Sequence, residues 1–282
     1  MKIALLTTRP ETASNLRLRE AARRLGEVRV VNPWEQKLCL TQERACFDLT
    51  LNRVSAVEND PFIFSLMASQ RWGRQSNPWE VRQRLWDKSR QALWLHQQGI
   101  RALPFFAFRG QLTAADEAWR SFYQRNDRGQ GWVLKVNRGM RGVGVHFLKT
   151  EGEVLAWCET FYRLGDQDLI LQPRLKGGTE WRATFVGGKL WALLERRGAD
   201  GESPANAAQG GLARELKSAP GDLAPLLEQL TPLAPEFCSI DILADAAGPV
   251  VSDVNLVAGF EQLDAITGRE LAREYLGHLS QR

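Results

Sequence analysis

Apolar residues in this chain come in short runs and in helix-spaced stripes, and the two patterns alternate from the first residue. Lys2 to Leu6 is a short apolar run that reads as a strand, and the next stretch places Leu16, Ala21, Ala22 and Leu25 on one helical face. Gly26 ends that helix, Val28 to Val31 reads as a second strand, and Phe47 to Leu51 alternates as a third. Pro61 to Trp72 has the spacing of an amphipathic helix. Strand, helix, strand, strand, helix is the order of a small α/β unit, and Gln75-Ser76-Asn77-Pro78 is the first credible linker after it.

From Trp79 to Gln98 the pattern predicts a single helix, with Trp86, Leu93 and Trp94 apolar among charged neighbours and Gly99 as its stop. A strand at Phe105 to Phe108 and a helix at Ala114 to Tyr123 follow. Trp132 to Val136 and Val145 to Leu148 read as two strands joined by a glycine-rich loop, a hairpin with a flexible tip. Beyond it come a helix near Val154 to Tyr162, a strand at Leu169 to Gln172, and a strand pair at Trp181 to Val186 and Leu190 to Arg196. Residues 198–211 are rich in Gly, Ala, Ser, Pro and Asn and read as a long loop, whose length hints at function. A helix near Leu223 to Leu230, two strands at Cys238 to Leu243 and Val250 to Val254, and a final helix from Gly268 to Leu279 complete the chain. It shows no internal repeat.

Composition narrows the class. With 282 residues, 44% hydrophobic and 25% charged, the chain suits two or three globular subdomains and excludes disorder or a collagen-like repeat. Cys39, Cys46, Cys158 and Cys238 form no Cys-x-x-Cys pair, and His96, His146 and His278 lie far apart. Neither a zinc finger nor a disulfide framework is expected, and the thiols read as reduced and buried. No apolar run approaches the roughly 20 residues of a membrane span, so a cytoplasmic location without membrane contact is the expectation. The net charge of +4 averages two unlike halves, +8 over residues 1–130 and −4 over the rest. Of the 37 basic residues 29 are Arg, yet no basic tail or RNP-like motif accompanies them, which argues against a nucleic-acid partner. Most of the ten Trp occupy predicted core positions, and only Trp72 and Trp79, by the linker, leave room for another role.

Two groups of residues carry candidate chemistry. Gly139, Gly142 and Gly144 follow Lys135, which stands on the preceding strand. Backbone free of Cβ atoms can fold its N–H groups over phosphate oxygens, and the lysine can reach the same anion. The loop is neither a Walker A loop nor a Rossmann turn, because no Gly-Lys-Ser/Thr follows and the next element is a strand. The second group is Asp241 on one strand with Asp253 and Asn255 on the next. Alternation puts Asp253 and Asn255 on one face, and an adjacent strand can bring Asp241 beside them. Three hard oxygen donors suit Mg²⁺ held jointly with nucleotide phosphates. Taken singly, each group is also met by ordinary turn chemistry.

In combination they resemble the ATP-grasp carboxylate–amine ligases, in particular the RimK-like branch that includes ribosomal-protein glutamate ligases. The resemblance runs over nearly the whole chain: Met1 to Leu6, Leu18 to Ala22, Asp87-Lys88, Leu134-Lys135 with Gly139-x-x-Gly142-x-Gly144, and Leu171-Gln172. It continues through Glu195-Arg196-Arg197, Asn206, Gly210-Gly211, Ser239 to Leu243, Asp253-Val254-Asn255 and Thr267-Gly268.

The resemblance implies a mixed α/β ATP-grasp fold in three parts: an N-terminal α/β domain over residues 1–78, a central lid-bearing domain over 79–174, and a C-terminal domain with the metal-binding strands over 175–282. It implies ATP and Mg²⁺, with Mn²⁺ as an alternative ion, and an acyl-phosphate that an amine converts to an amide. The substrates would be a carboxylate such as glutamate and an amine on a peptide or protein, and homo-oligomers are common in the family. Lys88 and Lys135 would reach the phosphates, with Gly139, Gly142 and Gly144 as the lid. Gln172, Pro173, Arg174 and Leu175 would line the adenine slot, with Leu175 as the N–H donor because Pro173 has none, and Glu180 would accept from ribose. Arg197 and Asn206 would act at the transferring phosphate, although alternation lets only one of Arg196 and Arg197 point inward. Asp241, Asp253 and Asn255 would hold the metal.

The chain departs from the family pattern at three places. Asp253 stands where Glu is usual, Ser203 to Gln209 lacks two family arginines, and Val257-Ala258-Gly259 replaces a small-Pro-Gly segment. The first two departures favour the alternative reading, a degenerate ATP-grasp protein that binds nucleotide as a regulatory or scaffold module, whereas the intact Lys135, Arg197, Asp241 and Asn255 favour the enzyme.

Overall fold

The computed structural model describes residues 1–37, 46–55, 61–69, 72–139, 144–165, 167–175, 179–197 and 212–281. Expectations for Cys39, Gly142, Asn206, Gly210, Gly211 and the Ser203 to Gln209 loop lie outside them. Three sheets organise the described residues.

The first sheet is parallel, in the order β2-β1-β3-β4, from β1 (Lys2–Leu6), β2 (Glu27–Val31), β3 (Leu49–Asn52) and β4 (Arg74–Ser76). One face buries Ala4 and Leu6 against Ile63, Phe64 and Met67 of α2 (Pro61–Ala68). The other face packs on α1 (Ala13–Arg23), which lies against the last helix of the chain. Helix α1 turns Leu18 and Ala22 inward and leaves Leu16 at the surface, so its buried stripe is rotated from the one the apolar spacing suggests.

The expected linker is an interior segment. Gln75 and Ser76 belong to β4, and Gln75, Ser76 and Asn77 are all buried. The Asn77 side chain donates to the carbonyl of Phe237 (2.6 Å) and accepts from its N–H (3.0 Å), while Ser76 pairs with the Tyr275 hydroxyl (2.5 Å). Polar side chains that satisfy buried backbone groups explain why polar composition here does not mean exposure.

The single helix expected over Trp79 to Gln98 is two, α3 (Trp79–Arg84) and α4 (Lys88–Gln97). Asp87 breaks it, because its carboxylate caps the second helix by accepting from the Arg90 N–H at 2.9 Å. The final helix expected over Gly268 to Leu279 is α9 (Leu271–Ser280), and a further helix that the apolar spacing did not announce, α8 (Glu261–Thr267), precedes it and ends at Gly268 in the left-handed region at φ 66°.

The second sheet is antiparallel, in the order β5-β8-β6-β7, from β5 (Phe106–Phe108), β6 (Trp132–Val136), β7 (Val145–Leu148) and β8 (Leu169–Pro173). Helices α5 (Glu117–Asn126) and α6 (Glu151–Leu164) cover one face around Trp119, Trp132, Leu134, Cys158 and Leu171. Side chains of the opposite parity, Lys135, Ile170 and Gln172, turn toward the third sheet.

That third sheet is antiparallel, in the order β11-β10-β9-β12-β13, from β9 (Glu180–Val186), β10 (Lys189–Arg197), β11 (Leu212–Leu216), β12 (Phe237–Leu243) and β13 (Val250–Asn255). One face is mainly apolar, with Trp181, Ala183, Phe185, Leu193, Ile240 and Ile242 packed under α4 and α7 (Ala224–Leu230). The other face divides along its length. Val186, Ala192, Leu194 and Phe237 join the core shared with α1 and α9, whereas Glu180, Arg182, Asp241 and Asp253 make its far end polar.

Of the cysteines, Cys158 and Cys238 are buried and Cys46 is exposed. Among the described residues no helix is long and apolar enough to cross a membrane.

Trp119 is fully buried and touches the rings of Phe106, Phe122, Tyr123 and Trp132. Trp119→Ala is expected to lower the unfolding free energy of that unit by about 3–5 kcal/mol, read as an earlier urea transition. A loss under 1 kcal/mol contradicts this packing.

Candidate functional site

Register assembles the site. Arg182 on β9 is the direct cross-strand partner of Asp241 on β12, and Asp241 is the direct partner of Asp253 on β13. One row of three adjacent strands therefore carries a guanidinium and two carboxylates. The next row on one side pairs Arg196 with Glu180, and the next on the other holds Thr184, Ser239 and Asn255.

Arg182 grips Asp241 with both arms, Nε to Oδ1 at 2.6 Å and Nη2 to Oδ2 at 2.8 Å. Arg196, almost wholly buried, donates to Glu180 Oε1 at 2.7 Å and lies 3.6 Å from Asp241 Oδ1. Burial alone would raise the Asp241 carboxyl. The charge and hydrogen bonds of Arg182, with Arg196 and Lys88, outweigh it and hold the group below its ordinary value. Burial and the neighbouring Arg182 lower Arg196, against the pull of Glu180 and Asp241.

Two lysines reach the row from outside the third sheet. Lys88 opens α4, and its Nζ lies 2.7 Å from Asp253 Oδ2. Asn137, buried just after β6, fixes that helix start: its side chain accepts from the Ser89 N–H at 3.0 Å and its carbonyl accepts from the Lys88 N–H at 3.2 Å. Lys135 comes from β6 in the second sheet. Burial and the nearby Lys88 charge push its pKa down to about 8, partly offset by Asp253, Asp241 and Glu180. A small pocket beside this cluster runs between α4, β8 and β13, with Lys88, Gln91, Leu95, Ile170, Gln172 and Asp253 among its walls.

The structure brings Lys88, Lys135, Gln172, Glu180, Asp241 and Asp253 to one cleft. Asn255 lies two positions beyond Asp253 on the same strand face, and its Oδ1 accepts from the Val257 N–H at 3.0 Å. Arg197 is placed elsewhere: it is 65% exposed on the opposite face, paired with Glu195 at 3.2 Å. Glu180, expected at a ribose, is engaged by Arg196. Pro173 is buried at the end of β8, Arg174 lays its guanidinium over the Phe147 ring at 5.0 Å, and its N–H is taken by the Gly131 carbonyl at 2.9 Å. Leu175 is half-buried beyond it. Gly139 closes a turn onto the Val136 carbonyl (3.1 Å), and Gly144 has φ 73° with Val136 Cγ2 2.8 Å from where a Cβ would stand. Any other residue at 144 is strained twice, by conformation and by contact.

Arg182 is the site residue that the sequence reading passed over. Its signal was present: Trp181 and Ala183 are core residues, so alternation turns Glu180, Arg182 and Thr184 to the other face.

Two sheets face each other across a cleft lined by lysines, arginines and acidic strand residues. Residues 87–279 match the RimK-like ATP-grasp domain, and the chain belongs to that family. By class it is an ATP-dependent ligase. A protein of Thioalkalivibrio sulfidiphilus named probable alpha-L-glutamate ligase is 28% identical, over 100% of this chain and 96% of its own length. The crystal structure of a RimK domain ATP-grasp protein from Sphaerobacter thermophilus superposes with a TM-score of 0.74 at 20% identity, covering 99% of both chains. The ATP-grasp ligase PsnB, complexed with a minimal precursor variant, Mg and ADP, superposes at 0.67 and 15% identity, covering 99% of this chain and 97% of its own.

The lowered Lys135 gives the site a pH signature. A polyphosphate favours the charged amine, so nucleotide binding is expected to take up a proton above pH 8, approaching one per nucleotide at pH 9 and falling toward zero at pH 7. Titration calorimetry in buffers of different ionisation enthalpy reads the number. Lys135→Arg should abolish the uptake, and equal uptake by both proteins removes Lys135 from the site.

Proposed function

We propose that this protein is an ATP- and Mg²⁺-dependent carboxylate–amine ligase that joins an amino acid, glutamate being the first candidate, to an amine on a peptide or protein. The observation that carries the reading is the convergence of Lys88 from α4 and Lys135 from β6 on the Arg182–Asp241–Asp253 row. The relative named as a glutamate ligase supports the acid, and PsnB with its precursor supports a peptide acceptor.

The donor set fits a hard cation. Among the described residues no three His, Cys, Asp or Glu side chains converge as a self-sufficient metal cage. Two carboxylates and a carboxamide, Asp241, Asp253 and Asn255, share one face of two adjacent strands, which suits Mg²⁺ because that ion keeps places for phosphate oxygens and water. When bound there, Mg²⁺ neutralises phosphate charge; the same oxygens also admit Mn²⁺.

The chain's own groups then have definite tasks. Lys88 and Lys135 hold phosphate oxygens as compact point charges. Arg196 takes the part first assigned to Arg197, since it is the arginine of that pair that faces the cleft, and with Arg182 it stabilises charge that builds on the transferring phosphoryl group. An oxygen of the substrate carboxylate attacks the γ-phosphorus, the bond to ADP breaks, and an acyl-phosphate forms. The amine then attacks the acyl carbon, phosphate leaves with the C–O pair, and the amine proton passes to solvent.

Release of ADP and phosphate, measured with pairs of amino acids and peptide amines, tests the reading. Turnover is expected only when acid and amine are both present, and glutamate is the first acid to try. Asp241→Asn and Lys135→Ala are each expected to lose at least about 100-fold in kcat with an unchanged circular dichroism spectrum. A protein that binds MgATP but turns over none of a broad panel is instead the nucleotide-binding regulatory module that the altered 203–209 loop suggests.

A further inference from the structure

Every carboxylate assigned to the metal is already held by a cation of the chain. Both Asp241 oxygens accept from Arg182 at 2.6 and 2.8 Å, with Arg196 at 3.6 Å, and Asp253 Oδ2 accepts from Lys88 at 2.7 Å. These are charge-assisted contacts, and the first is a two-armed fork of the strongest kind a side-chain pair makes. A divalent ion arriving alone must compete with that fork and sit beside its positive charge.

Charge balance sharpens the point. In the cleft four cationic groups, Lys88, Lys135, Arg182 and Arg196, face three carboxylates, Glu180, Asp241 and Asp253. The set carries one surplus positive charge. A divalent cation alone deepens the surplus, and a polyphosphate alone overturns it. Together they cancel, because a nucleoside diphosphate carries about three negative charges near neutrality.

We infer that Arg182 is an anion-binding residue that masks Asp241 in the ligand-free protein and exchanges the carboxylate for nucleotide phosphate, so that metal and nucleotide enter the cleft only as mutually dependent ligands. This rests on the reading of the cleft as a nucleotide site. A phosphate chain offers the guanidinium more oxygens and more charge than one aspartate does. Once the fork is drawn away, Asp241 regains free acceptor oxygens, and the row partner Asp253 gains likewise if Lys88 follows the same phosphates. The coupling is reciprocal: the factor by which nucleotide improves metal affinity equals the factor by which metal improves nucleotide affinity. Arg182 is thus a gating residue for the metal position as well as a phosphate contact. A fixed structural role predicts the opposite sign, since a fork that merely orients Asp241 for the metal would help the metal bind.

The experiment measures Mn²⁺ affinity by electron paramagnetic resonance of free ion, with and without ADP, in the full-length wild type and in Arg182→Met. The wild type is expected to bind Mn²⁺ at least 10-fold more tightly with ADP than without. Arg182→Met should bind Mn²⁺ alone several-fold more tightly than the wild type, bind ADP at least 10-fold more weakly, and show coupling of less than about threefold. Arg182→Lys, which keeps the charge without the fork, should fall between them and serves if the methionine variant does not fold. Arg214→Met removes an exposed guanidinium paired with Glu195 and should change neither affinity. Mn²⁺ affinity unchanged or reduced in natively folded Arg182 variants overturns the masking role, as does equal wild-type affinity with and without ADP. Failure of the wild type to bind ADP even with Mn²⁺ overturns the nucleotide reading itself, by a measurement that involves no substitution.

Discussion

Two aspartates stand directly across from each other on β12 and β13, and this is the constraint around which the cleft is built. Like charges opposite one another on a sheet repel, and partial burial of both makes the repulsion stronger than it would be in water. The sheet resolves this by giving each aspartate its own cation from a different direction. Asp241 takes Arg182 from the neighbouring strand, and Asp253 takes Lys88 from a helix that belongs to no sheet. Placing Lys88 in turn needs α4 to begin where it does. That start is set by the Asp87 cap and by Asn137 reaching across from β6, so the second sheet, the third sheet and the helix between them are tied through one polar junction.

The same face of the third sheet serves two purposes because its polarity changes along its length. At one end it is core, shared with α1 and α9, and at the other it is the site. The shared core holds the first sheet firmly against the third. Arg53 reinforces the junction from the end of β3: it donates to Asn15 Oδ1 and to the Ala258 carbonyl, both at 3.0 Å, three residues beyond Asn255. Its near-complete burial lowers its pKa to about 10. A guanidinium still ionised at that value keeps its charge at any physiological pH, which makes it a durable pin for the turn after β13.

Much of this was legible in the sequence, and what was hidden follows a rule. Runs and alternation located most of the strands, and Lys135, Asp241 and Asp253 could be singled out by residue type and spacing, whereas Lys88 on a helix stood out only through the family resemblance. Alternation also separates Arg196 from Arg197, but it cannot say which faces the cleft, because Leu193 and Leu194 both pack into core; the pairing of Arg196 with Glu180 and Asp241 decides that. Alternation turns Arg182 away from the core face, but its pairing with Asp241 was hidden because it lies in register with a strand some sixty positions away. The split at Asp87 was hidden because apolar spacing continues across it, and the interior placement of Ser76 and Asn77 because polar residues that pair with buried backbone look, in sequence, like a loop. Strand β11 carried too little apolar alternation to announce itself, Leu212 being largely exposed.

The excess of arginine over lysine acquires a structural reason that needs no nucleic acid. Arg53 donates to the carbonyl of Ala258, Arg74 to Leu279, Arg82 to Val54 and Asn52, Arg101 to Gly248, and Arg269 to Trp191 while stacking on its ring at 4.0 Å. Each ties backbone of one element to another far away in sequence. A planar fork that stays charged when buried can satisfy several carbonyls at once, which an ammonium on a flexible stem does less well. Lysine suits the other task. A compact charge that can slide along phosphate oxygens, and whose pKa burial can lower to about 8 as at Lys135, belongs where ligand comes and goes. The chain's basic residues are therefore divided by chemistry more than by the half of the sequence they occupy: forks that hold elements together, and at the cleft Lys88 and Lys135 beside the forks of Arg182 and Arg196.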